Sequence, residues 1–216
     1  MALNVFVSVG TALNPSQEEF VNAVEARLRA IGLNPVTIGR NRFSASAPLR
    51  AVSDLMDECR GTVVIALERY RFPEGEERPE SSLRAELADV RLPTVWNQIE
   101  AAMAYSRGLP LLVLVDQELR TDGLLEKGNE WYVQELCVEP AALNTSTFAG
   151  ILASWRELLV ETQSKDSKKV EPMLTDPAMM TVSQLLGGLK TSQLWAVIGG
   201  IVTALGAAFA LGAKLI

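Results

Sequence analysis

The chain has 216 residues, 48% of them hydrophobic, and a mean hydropathy of +0.15 that is high for a water-facing protein. Its 20 Lys and Arg against 26 Asp and Glu leave a net charge of −6, which excludes the clustered basic surface that a DNA or RNA duplex requires. It contains no histidine, so Ser-His-Asp and Cys-His chemistry and His-containing zinc sites are excluded, and two cysteines are too few for a Cys-only metal centre. No metal is expected. Cys59 and Cys137 show no CxxC spacing, which fits a reducing compartment without a disulfide. Any chemistry then falls to carboxylates, hydroxyls, backbone amides or a bound nucleotide.

Strand and helix signals alternate along the first half. Val5 to Gly10, VFVSVG, is a short apolar run ending in small residues. A helix follows Pro15, with Ser16 and Glu19 at capping-box spacing and Phe20, Val21, Val24, Leu28 and Ile31 on one face; Gly32 ends it. Pro35 to Ile38 reads as a short strand, GRNRFSASAP as a loop, Pro48 to about Arg60 as a helix, and TVVIALE as a buried strand. Phe72 to Glu86 reads as a charged insertion. A helix from Trp96 to Arg107 leads through Gly108-Leu109-Pro110 into LLVLV, again a buried strand. Apolar strands joined by helices imply an α/β fold, a parallel sheet flanked by helices, with ligands bound beyond the carboxyl ends of the strands.

The hydrophobic surplus lies further on. Residues 163–177, QSKDSKKVEPMLTDP, read as a polar, proline-broken linker after a domain spanning 1–162. Residues 178–193 carry apolar residues at a helical period, which suits a segment lying in the membrane interface or one continuing into the next helix. Leu194 to Ala213 is a run of 20 residues without a charge, about the length that spans a hydrocarbon core. Lys165, Lys168, Lys169 and Lys190 precede it and Lys214 follows, while MALNVFVSVG lacks the features of a secretion signal. The expected layout is a cytoplasmic domain tail-anchored in the inner cell membrane. Within the span Ala196, Gly200, Ala204, Ala208 and Gly212 recur every four residues, a small-residue face that favours helix–helix association and hence a homo-oligomer.

Three stretches together carry a resemblance. VFVSVG followed by FVxxxxxxLxxxGL resembles the opening of a Toll/interleukin-1 receptor (TIR) domain; DLMDECRGTVVIALERY resembles that family's second helix and third strand. VWNQIEAAMAYSRGLPLLVLV resembles its third helix, with Trp four residues before Glu, and the related nucleoside deoxyribosyltransferases share the Glu, the Ala-rich helix and the Gly-x-Pro exit. The resemblance covers roughly residues 4–117 and implies a TIR or flavodoxin-like sheet. The position after Ser8 is Val, where TIR domains commonly have Tyr or His.

In enzymatic members of both families the matching Glu, here Glu100, contacts ribose and helps to break an N-glycosidic bond. The chemistry is sound, because a carboxylate stabilises the oxocarbenium-like sugar formed as the leaving group departs. On the residues alone, Glu100 also fits the outer side of a helix whose inner face is Val95, Ile99, Ala102 and Met103. The candidate ligand-binding residues are Ser8, Val9 and Gly10 after the first strand, Arg40, Arg42 and Ser44 in the following loop, where arginines suit a diphosphate, and Trp96 beside Glu100. The resemblance implies two functions. One is a nucleotide-recognising effector of antiphage defence or cell death that clusters its membrane helices; the other is a membrane-anchored NAD glycohydrolase with NAD as substrate and Glu100 catalytic. Neither requires a cofactor.

Overall fold

The structure is a computed structural model that describes residues 2–169. The chain divides into two units, Met1–Lys168 and Lys169–Ile216, and the description below concerns the first. Four helices, α1 (Pro15–Ala30), α2 (Pro48–Asp57), α3 (Val95–Ser106) and α4 (Ser146–Lys169), accompany seven strands. Strands β1 (Leu3–Val9), β2 (Leu33–Val36), β3 (Thr62–Ala66), β6 (Leu111–Asp116) and β7 (Tyr132–Leu136) form one parallel sheet in the order β2-β1-β3-β6-β7. The α/β class and the parallel sheet expected from the sequence are therefore present.

The period of two along each strand sends alternate side chains to opposite faces. On one face Val5, Val7, Val63, Ile65, Leu112 and Leu114 pack with Phe20, Val24, Phe148 and Trp155 of α1 and α4. On the other, Phe6, Val64, Ala66, Val113 and Val115 pack with Val52, Leu55 and Met56 of α2 and Ala101 and Ala104 of α3. The central strands are thus apolar on both faces, as continuous Val/Ile/Leu runs require. Each such side chain contributes about 1.5–3 kcal/mol by leaving water.

Local chemistry corrects several boundaries. The N-cap of α1 is Asn14, which accepts from the Gln17 backbone at 2.9 Å while Gln17 Oε1 accepts from the Asn14 backbone at 3.1 Å; the expected Ser16–Glu19 box lies inside the helix. Gly32 takes φ +82° directly after α1, the left-handed turn that glycine adopts without strain. The charged insertion is an antiparallel hairpin of β4 (Tyr70–Glu77) and β5 (Ala85–Leu92), pairing Phe72 with Val90. Its exposed residues hold charge-paired sides such as Arg84–Glu76 at 2.5 Å, so charge density alone read as loop. Helix α4 continues past Gln163, where the linker was expected to start, to Lys169.

Among the described residues no helix is long and apolar enough to cross a membrane. The interfacial segment 178–193, the span 194–213 and its face of Ala196, Gly200, Ala204, Ala208 and Gly212 lie outside the described residues.

Candidate functional site at the carboxyl edge of the sheet

Alternation along β1 puts Phe6 and Ser8 on the face covered by α2 and α3, and Ser8 is 1% exposed. Helix α3 meets it with Asn97, Glu100, Ala101 and Ala104, a stripe at i, i+3, i+4 and i+7. This helix turns two polar side chains inward and leaves Val95, Trp96 and Ile99 exposed. The alternative inner face of Val95, Ile99, Ala102 and Met103 is therefore not the one used. The small Ala101 and Ala104 permit close approach to the sheet, and that fixes the helix's rotation against the apolar preference.

Asn97 Nδ2 donates to Ser8 Oγ at 3.1 Å and to the Ile65 carbonyl at 3.4 Å, tying α3 to β1 and β3 at once. Asn97 Oδ1 is buried and has no partner among the described residues. Glu100, 8% exposed, is pushed up to about 7 by burial, which disfavours its charged form, while a hydrogen bond from Ser8 pulls the other way. At neutral pH such a carboxyl divides about evenly between its acid and its anion. Sequence reasoning missed Asn97. The signal available was its place three residues before Glu100, which puts both on one helical face.

A small cavity of about 20 Å³ lies among the segments that follow β1 and β3 and precede α3, lined by Gly10, Thr11, Leu13, Gln17, Leu67 and Thr94, among others. That is room for about one water molecule. Two hydrogen bonds hold its walls together: Arg69 Nη1 donates to the Thr11 carbonyl at 2.8 Å, and Gln17 Nε2 to the Glu68 carbonyl at 2.9 Å. Between them Ala12 takes φ +56°, a left-handed conformation uncommon for a residue with a Cβ. Thr94 caps α3, accepting from the Trp96 backbone, and Glu100 lies six residues further on, about 9 Å down the helix axis.

The other expected ligand-binding residues lie apart from this cluster or are engaged elsewhere. Val9 and Gly10 follow Ser8 at the strand end and are half-buried; Trp96 is 40% exposed. Arg40 grips the Glu18 carboxylate of α1 with two hydrogen bonds of 2.9 and 2.7 Å, reaches Asn22 at 3.1 Å and lies 3.4 Å from Glu25. That pair holds the Glu18 carboxyl below its usual range. A phosphate at Arg40 would have to displace Glu18. Arg42 lies 3.7 Å from Glu58, and Ser44 accepts from the Ser46 backbone in the same exposed loop. Cys59 and Cys137 are free thiols, and burial pushes the Cys59 thiol up to about 12. Among the described residues no cluster of three or more metal-ligating side chains occurs.

No protein-family model matches the chain, and no curated protein matches it. Among solved structures it is similar to the TIR domains of the activated Roq1 resistosome, which directly recognises the pathogen effector XopQ. That likeness has a TM-score of 0.35 and 16% identity, and covers 76% of this chain and 84% of that chain.

Proposed function

We propose that this chain is a membrane-anchored, TIR-like effector whose cytoplasmic domain recognises a nucleotide and whose membrane helices cluster in response, in antiphage defence or cell death. The observation that carries the recognition half is the inward polar stripe of α3. A helix that buries Asn97 and Glu100 against Ser8 while exposing Val95, Trp96 and Ile99 departs from its own amphipathic preference, and such departures concentrate at functional sites. Ser8, Asn97 and Glu100 together offer the donors and acceptors that ribose hydroxyls need, at the strand ends where ligands bind in open parallel sheets. The narrow cavity and its two bridging hydrogen bonds suit a site that opens to admit ligand and so couples occupancy to the loop after β1. The uncharged run 194–213 and its small-residue face support anchoring in the inner membrane and assembly of like chains.

A second reading, hydrolysis of NAD at its N-glycosidic bond, draws on the position of Glu100 near neutrality, where acid–base groups in enzymes are commonly placed. In it the anionic form of Glu100 faces the oxocarbenium-like ribose and no cofactor is required.

The two readings part in cells. With Gly200, Ala204 and Ala208 replaced by Leu, the span keeps its apolar length but loses close helix approach. The effector reading expects toxicity to fall while nucleotide binding persists and cellular NAD stays normal. A triple-Leu variant that still kills and depletes NAD contradicts it and supports hydrolysis.

A further inference from the structure

The opposite edge of the sheet holds a much larger cavity, of about 800 Å³, where β6 begins at Leu111 and β7 at Tyr132. Such a volume is in the range of small-molecule sites. Its walls come from the end of α3, the turn into β6, the loop before β7 and one stripe of α4. Four aromatic rings, Tyr105, Trp131, Tyr132 and Trp155, and the carboxylate of Glu130 line it, and among the described residues no Lys or Arg does.

Part of this lining is already fixed in place. Tyr105 donates its hydroxyl to Glu130 Oε2 at 2.9 Å, and its ring stands 5.2 Å from that of Trp131 at an interplanar angle of 60°. Trp131 is itself anchored by Nε1 donating to the Leu124 carbonyl at 3.0 Å. The neighbouring Glu130 raises the Tyr105 hydroxyl above its ordinary range, which keeps it a donor. The tilted Tyr105–Trp131 pair stands beside an oriented carboxylate, so ring quadrupole and formal charge both make the local potential negative. An anion is repelled there, and a neutral apolar ligand leaves the carboxylate unused.

We propose that this cavity binds a small organic cation, an alkylated or quaternary ammonium, with its positive head against Tyr105 and Trp131 and beside Glu130. The cation is free in solution or is the headgroup of a lipid, since both present the same chemistry.

The test titrates the full chain, in a neutral maltoside detergent, with choline and with its uncharged isostere 3,3-dimethylbutan-1-ol by calorimetry. Choline is expected to bind saturably and the isostere roughly tenfold more weakly. Trp131→Leu should weaken choline by about tenfold and Glu130→Gln by about threefold or more, whereas Glu100→Gln, at the other edge, should leave it unchanged. In nanodiscs, loss of the choline titration when phosphatidylcholine replaces phosphatidylglycerol identifies a lipid headgroup as the ligand; persistence identifies a free solute. Absence of choline binding, equal binding of the isostere, or wild-type affinity in a folded Glu130→Gln chain overturns the proposal.

Discussion

The Ser8 hydroxyl hydrogen-bonds the buried Glu100 carboxyl while accepting from Asn97 Nδ2 at 3.1 Å. One small side chain on β1 therefore orients two polar side chains of α3. Ser8→Ala removes the group that favours the Glu100 anion, so the carboxyl should rise further above about 7. Stability at pH 8 should fall by about 1–3 kcal/mol, the usual cost of a buried polar group losing its partner, and by less at pH 5, where Glu100 is protonated. Urea unfolding at both pH values measures this. An equal loss at both contradicts the hydrogen bond.

Glu100→Gln has an opposite and pH-dependent effect. The ordinary value of 4.5 is raised to about 7 in the folded chain, so the folded state holds a proton that the unfolded state has released between those two pH values. Wild-type stability should fall as pH rises through that window, by on the order of 3 kcal/mol, and level off above it. The Gln variant lacks this decline. Its melting temperature relative to wild type should rise from pH 5 to pH 8, and a constant difference contradicts the buried, titrating carboxyl.

Arg69→Ala removes the hydrogen bond to the Thr11 carbonyl that helps to close the small cavity. Gln17 still donates to Glu68, so the loop should loosen without leaving. Amide exchange at residues 10–13 should quicken roughly tenfold, the effect of one net hydrogen bond. Unchanged exchange there means that the bridge does not restrain the loop.

Gly61 precedes β3 under α4, and a Cβ there would stand 2.3 Å from Leu159 Cδ2 and 3.1 Å from both the Pro110 carbonyl and Trp155 Cζ2. Leu159 has no room to withdraw, being fully buried. Gly61→Ala should cost about 1–3 kcal/mol through overpacking, measured by denaturant unfolding. A neutral substitution contradicts the close packing of α4 on the sheet.

How legible these features were depended on which force set each one. The apolar runs at Val5, Val63 and Leu112 gave the sheet, because strands buried on both faces need continuous hydrophobicity. The β4–β5 hairpin was hidden by its charges, which are paired across and beside the strands but stay exposed to water, as those of a loop would. Strand β7 carries the mixed sequence YVQEL, with a buried and exposed alternation too short to read. At the site, Glu100 was legible through a resemblance and Asn97 was not, since the rotation of α3 follows from the small Ala101 and Ala104 rather than from its apolar residues. The place of Arg40 was illegible for a further reason: its ion pair with Glu18 joins residues 22 apart that only the fold brings together.

The proposed effector function requires that the Ser8–Asn97–Glu100 cluster receive a nucleotide. The direct measurement is calorimetric titration of the full chain in detergent with NAD, ADP-ribose and cyclic dinucleotides, alongside its Glu100→Gln variant and an assay for released nicotinamide. Saturable binding of at least one of these is expected, weakened about tenfold or more by Glu100→Gln through loss of a hydrogen bond to a charged group, without nicotinamide release. No binding by any of them, or an affinity that Glu100→Gln leaves unchanged, would contradict it.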